Sequence, residues 1–242
     1  WKAGVNYALN DSIRFRATRS RDIRAPNINE LFAAGQTLIG GVTDTKTNAT
    51  YTVSQTTGGN PYLKPEKADT LTAGVVLTPS FAPRLSVSID YYDIKVKGAI
   101  ASLTAQTIVT RCNSGDAASC LLVQRGSDGR ISNILLAPVN FQKIITNGID
   151  VEVAYRLPIG NGMLDLRGLT SYVNKLNLVG QNGDVTKFAG NTDQPVLDGP
   201  GGTPHWRANV SANYSTDNYR FGITGRYVGG GVITRDDVTL DW

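Results

Sequence analysis

This chain is poor in the residues that usually carry chemistry. Charged residues make up 18% of its 242 positions, below the roughly 25% usual for soluble domains. It has one histidine, His205, and two cysteines, Cys112 and Cys120. It contains no G-x-S-x-G, H-E-x-x-H, Walker A or C-x-x-C run, so the enzyme classes that depend on those motifs have nothing to stand on. His205 has no Ser or Asp partner in its own strand pattern and reads as a polar side chain at a strand start. No catalytic activity, cofactor or metal site is expected. Long apolar runs are also missing. No window approaches the ~18 consecutive apolar residues of a membrane helix, and mean hydropathy is −0.17. A soluble protein fits that value. So does a transmembrane β-barrel, because the lumen-facing half of each strand cancels the lipid-facing half.

What the chain does have is period-two alternation, which puts one apolar face on each strand. Ile13, Phe15 and Ala17 oppose Arg14, Arg16 and Thr18. Leu85, Val87, Ile89 and Tyr91 oppose Ser86, Ser88 and Asp90, and Ile149, Val151, Val153 and Tyr155 oppose Asp150, Glu152 and Arg156. The pattern predicts about eight strands: Trp1–Leu9, Ile13–Ser20, Lys67–Thr78, Arg84–Val96, Phe141–Leu157, Met163–Lys175, Pro204–Ser215 and Tyr219–Val228. A soluble antiparallel sandwich would alternate in the same way. Two features point instead to a membrane barrel. The strands run to about nine to twelve residues, against ~5–6 for soluble strands and ~9–11 for tilted membrane strands. The connections also alternate in length. Short turns fall at Asn10-Asp11, 78–84, 158–162 and 216–218; long polar loops fall at 21–66, 97–140, 176–203 and from Gly229 onward. Outer-membrane barrels place short turns on the periplasmic side and long loops outside. Tyr7, Tyr91, Tyr92, Tyr172, Trp206, Tyr214 and Tyr227, near strand ends, would suit interfacial girdles. A short helix is expected over Ala101 to Arg111.

Two motifs sharpen this reading. Arg24 to Phe32 read R-A-P-N-I-N-E-L-F, and Asn60 to Glu66 read N-P-Y-L-K-P-E. Pro26 removes a ladder donor and fixes φ, which stops a strand. Asn27 and Asn29 favour local turn hydrogen bonds, and Glu30 has Arg24 or Arg21 as candidate partners. Leu31 and Phe32 are expected to anchor the loop base on the barrel rim. Asn60-Pro61 and Lys64-Pro65 bracket a turn ahead of Glu66 and the strand at Lys67. The two runs resemble landmarks of the C-terminal barrel region of TonB-dependent receptors. That resemblance implies an all-β fold: a partial antiparallel transmembrane β-barrel of about 8 of roughly 22 strands, with long outer loops and short periplasmic turns. Residues 1–242 would then be one slice of a barrel, with the plug domain and closing strands outside it.

The resemblance further implies energy-coupled uptake across the Gram-negative outer membrane. The cargo would be a scarce nutrient such as a ferric siderophore, haem, cobalamin or an oligosaccharide. Partners would be outer-membrane lipid, the TonB complex acting through the plug, and a small nutrient ligand. A passive porin or a barrel adhesin is the alternative. The net charge of +4 and pI near 9.1 would suit nucleic acid, but the basic residues are spread over alternating positions with no adjacent Lys or Arg. Nucleic acid is therefore not expected, and these side chains are expected to line the lumen. In an oxidising compartment, Cys112 and Cys120 in a small-residue loop are expected to pair; a metal role for two isolated thiols is the alternative. Tyr51, Tyr62 and Phe188 are the loop aromatics offered as ligand contacts.

Overall fold

The computed structural model describes residues 1–140, 143–180, 183, 185–192, 202–235 and 238–241. In chain order, β1 (Lys2–Asn10) and β2 (Ile13–Arg24) form a hairpin, followed by helix α1 (Ile28–Phe32) and a second hairpin, β3 (Gln36–Asp44) and β4 (Ala49–Thr57). Next come β5 (Glu66–Leu77), β6 (Leu85–Lys97), β7 (Ile100–Ala101), α2 (Ala105–Asn113), α3 (Ala117–Cys120), β8 (Val123–Arg125), β9 (Ile131–Leu136) and β10 (Val139–Asn140). The chain continues through β11 (Lys143–Ile159), β12 (Gly162–Val179), β13 (Val185–Lys187), β14 (Trp206–Ser215), β15 (Arg220–Val228), β16 (Val232–Arg235) and β17 (Val238–Asp241).

Eight of these strands form one antiparallel wall in the order β1-β2-β5-β6-β11-β12-β14-β15. They are the eight expected strands, displaced by a few residues at their ends. Phe141, predicted to open the fifth, lies outside the described residues. Pro158, expected to begin a turn, instead lies in the last turn-side pair but one of β11, opposite Met163. Among the described residues β1 and β15 do not pair with each other, so each is bonded on one side only.

Register aligns the alternation into continuous rows. Val5, Ala17, Ala73, Tyr91, Ile149, Tyr172 and Trp206 stand abreast across seven strands. The opposite face carries ion pairs: Arg167 with Glu152 at 2.7 Å, Arg16 with Asp90, and Arg156 with Asp165. In a membrane barrel a charge facing lipid at mid-membrane costs about 2–4 kcal/mol, so in such a barrel the charged face would be the lumen side and the apolar face the lipid side. The Arg16–Asp90 pair spans an intervening strand. Gly74 sits between them in register, and a Cβ there would come within 2.0 Å of Asp90 Oδ1. The apolar face is open: Ile223 is 74% exposed. An apolar surface of that extent requires a non-aqueous neighbour. Tyr172 and Trp206 pack at 4.7 Å near one end, while Tyr214, Tyr219 and Phe221 cluster near the other. Tyr92 is not part of a girdle. One residue beyond the outward Tyr91, it faces the lumen, with its hydroxyl lying over Gly148.

The long loops hold more structure than their polarity suggests. β3, β4, β9 and β8 make a separate four-stranded sheet, with β4 and β9 parallel. Helix α2, overlapping the expected 101–111 helix, packs its Ile108 and Val109 onto that sheet against Val42, Val53, Ile131 and Ile134. This cap, above the end of the wall that bears the long loops, contains the chain's hydrophobic core cluster.

Candidate functional site at the outer rim and cap

The two motifs, far apart in sequence, meet at one joint. Asn27 caps α1: its Oδ1 accepts from Glu30 N at 2.8 Å, while Glu30 Oε2 accepts from Asn27 N at 2.7 Å. That reciprocal box satisfies two otherwise orphaned donors. Arg24 ends β2 between two carboxylates, donating from Nε to Glu66 at 2.6 Å and from Nη1 to Glu30 at 3.1 Å. Of the two arginines considered for Glu30, Arg24 is thus the partner; Arg21 pairs with Asp69 at 2.6 Å. The Arg24 hydrogen bonds, with help from the Asn27 amide, hold the Glu30 carboxyl below its ordinary range.

Pro26 and Pro61 flank this joint without donors, and Asn60 binds across it. Asn60 N donates to Glu30 O at 2.8 Å and its Nδ2 donates to Pro138 O at 2.9 Å. Gly59 packs so closely on α1 that a Cβ there would sit 2.5 Å from the Leu31 backbone. Beyond Pro65, Glu66 uses its second oxygen to accept from Ile100 N at 2.6 Å. Phe32 is not an anchor, being 66% exposed; Leu31 is half-buried, and the buried apolar residue of the joint is Leu63. The motifs therefore act as a clasp between wall and cap.

The cap is pinned by a buried charge. Asp44 is fully buried and accepts from Arg125 Nη1 at 2.6 Å, Asn113 Nδ2 at 2.9 Å and Lys46 N at 3.1 Å. The Arg125 bond, aided by Asn113 and Lys46, outweighs burial and lowers the Asp44 carboxyl to about 2. Sequence reading passed over Asp44 because an Asp-Thr-Lys-Thr run resembles a solvated turn. Cys112, in α2, and Cys120, in α3, are joined by a disulfide. A bridge closing so short a loop is worth roughly 2–3 kcal/mol in unfolded-state entropy. Protein taken from outer membranes is expected to gain two hydrogens in mass on reduction, with α2–α3 becoming protease-sensitive and the wall unchanged. Two freely alkylated thiols before reduction would contradict this.

Between clasp and cap opens a cleft of about 800 Å³, lined among others by Asn27, Asn29, Glu30, Gln36, Thr57 and Thr104. Ala33, Ala34, Ile100, Leu103, Leu136 and Pro138 share the lining, so the cleft offers apolar contact as well as hydrogen bonds. The three aromatic candidates lie elsewhere. Tyr51 packs on the cap core with its hydroxyl 2.8 Å from Thr47 Oγ1, Tyr62 is 87% exposed at the clasp turn, and Phe188 follows β13 beside β12. The structure does not gather them into one site. His205 precedes β14, its Nδ1 2.6 Å from Val173 O and its ring stacked on Tyr172. It has a packing role.

The model of the TonB dependent receptor-like β-barrel family matches residues 1–241. The chain belongs to that family. TonB-dependent receptor barrels are outer-membrane proteins of Gram-negative bacteria, and the family is one of receptors and transporters rather than enzymes. Solved structures share the fold at low identity. The siderophore receptor PirA from Acinetobacter baumannii matches at 14% identity and TM-score 0.59, over 96% of this chain and 29% of that one. A variant of the ferric enterobactin receptor from Pseudomonas aeruginosa, in complex with enterobactin, matches at 19% and 0.61, over 96% and 28%. The hemophore receptor HasR of Serratia marcescens, in complex with HasA and heme, matches at 17% and 0.55, over 94% and 31%. This TonB-dependent receptor barrel thus spans less than a third of the length of those structures. No curated relative matches its sequence.

Proposed function

We propose that the chain is a segment of the barrel of an outer-membrane receptor that imports a scarce nutrient by TonB-dependent coupling. The observation that carries this is the family match over residues 1–241, on a wall whose outer end bears a folded cap and a cleft of mixed polar and apolar lining. In this reading residues 1–242 form one part of a roughly 22-stranded barrel. A plug fills the lumen and is drawn by the TonB complex from the periplasmic side. The cleft takes part in first capture of the solute, with the Asn27, Asn29 and Gln36 amides hydrogen-bonding to it.

The candidate cargoes are ferric siderophores, haem, cobalamin and oligosaccharides. The structural neighbours that bind enterobactin or a heme-loaded hemophore support the iron-bearing members of that set. The test is uptake and binding by the whole receptor, offered ferric chelates, haem, cobalamin and sugars with and without the coupling complex. Saturable binding of one class, with uptake abolished when coupling is removed, is the expected result. Equal uptake in both states would favour the porin.

A further inference from the structure

The cap sheet has two faces of opposite character. One carries Val42, Val53 and Ile134 and is covered by α2. The other takes the alternate residues. On β4 these are Thr50, Thr52, Ser54 and Thr56, from the run T-Y-T-V-S-Q-T. Register sets Thr37 and Thr43 of β3 opposite Thr56 and Thr50, Asn133 of β9 beside Ser54, and Gln124 of β8 beside Asn133. Among the described residues no charged or aromatic side chain shares these register positions.

A relay of hydrogen bonds crosses all four strands. Thr56 Oγ1 donates to Asn133 Oδ1 at 3.1 Å, and Asn133 Nδ2 donates to Gln124 Oε1 at 3.2 Å. The Thr37 hydroxyl, 3.2 Å from Thr56 Oγ1, must then be the donor of that pair. With Oε1 engaged, Gln124 has its Nε2 left to donate outward. Thr43 and Thr50 form a second hydroxyl pair at 3.1 Å. Between the two pairs, the Thr52 and Ser54 hydroxyls have no protein partner among the described residues. Gly41 stands opposite Thr52, and Ile39, opposite Ser54, is 78% exposed. The face is thus flat in one place and aliphatic in another.

This chemistry is selective. Nucleic acid and anionic lipid need cations, and protein hot spots centre on Trp, Tyr and Arg; the face offers none of these. Uncharged donors and acceptors held in fixed directions, with an aliphatic contact among them, match a molecule that has hydroxyls at its edges and C–H bonds on its faces. A sugar ring is such a molecule. At ~3.3 Å per residue and ~4.8 Å between strands, the face measures about 20 Å by 14 Å, room for several rings.

We infer that the uncovered face of the cap sheet binds a soluble, neutral glycan chain. Thr52 and Ser54 exchange hydrogen bonds with its hydroxyls, and Gln124 donates at one edge. The site is separate from the cleft, because Gln36 and Thr57, which line the cleft, have the opposite parity to Thr37 and Thr56. The inference therefore goes beyond the uptake reading and does not require the cargo to be a sugar.

The test holds the whole receptor in nanodiscs and measures binding of dextran and galactomannan, each beside its carboxymethylated form, by surface plasmon resonance. The wild type is expected to bind at least one neutral polymer and to prefer it to the charged form. A Thr52→Val, Ser54→Ala variant is expected to bind that polymer about 10-fold more weakly, since two hydroxyls are lost while strand preference is kept. Trypsin resistance of the cap is the control for folding. Should that variant open the cap, Gln124→Glu carries the test, because it keeps an acceptor and removes the donor at an exposed position. A wild type that binds neither neutral polymer would overturn the inference. So would a variant with an intact cap that binds as the wild type does, or tighter binding of the carboxymethylated forms.

Discussion

Asp44→Ala is expected to melt the cap and leave the wall standing. The substitution removes the carboxylate that holds Arg125, Asn113 and the Lys46 amide from a fully buried position. A pair broken from one side leaves its partner charge uncompensated, typically at a cost of 3–5 kcal/mol. The cap core rests on a handful of side chains such as Val42 and Ile108, and few small units have that much stability to spare. Limited proteolysis of the receptor should cut within residues 36–57 and 103–136 while the wall stays protected. A cap as resistant as the wild type's would show that Asp44 is not its keystone. The pH dependence has a definite sign. The folded carboxyl, near 2, lies below its ordinary 3.8, so its stabilisation is complete above about pH 4 and is lost as pH falls through 2. Its size is roughly 2 kcal/mol.

Arginine at Val151 is expected to cost the wall about 2–4 kcal/mol in a bilayer, whereas arginine at Thr72 is expected to cost far less. Val151 stands between Ile89 and Thr170 on the apolar face; Thr72 lies on the opposite parity, in register with Thr18 and Tyr92. The measurement is urea unfolding of the receptor in phospholipid vesicles. Spin labels at Val75 and Val151 should also meet a lipid-soluble quencher that labels at Thr72 and Glu152 escape. Equal penalties and equal quenching at both parities would refute the assignment of faces.

The wall was legible because alternation over nine or more residues leaves little choice of periodicity or face, and short turns fix the pairing of neighbours. The expectation that put both Tyr91 and Tyr92 in a girdle broke the same parity rule, since neighbours on one strand face opposite sides. The cap was not legible. β3 is a Gly- and Thr-rich run whose single strong apolar contribution is Val42, and its partners come from a different loop. Asp44 and Arg125 meet only because both loops fold together, and neither has a neighbour in sequence that announces the other. The clasp fell between these cases. Its prolines and asparagines marked turns, but joining Arg24 to both Glu30 and Glu66 needed the register of β2 on β5.

The parallel seam between β4 and β9 carries a consequence for assembly. Thr56 and Asn133, hydrogen-bonded across it, are 77 residues apart; Arg125 and Asp44 are separated by 81. Contacts that distant are entropically expensive to close from an open chain, yet the cost rises only slowly with loop length and drops once intervening residues are already fixed. Strands β5 and β6 are those intervening residues. The cap is therefore expected to fold late, after the hairpin beneath it has brought the two loops side by side. A receptor stalled during insertion would show its wall partly built and its mouth still a pair of open strings.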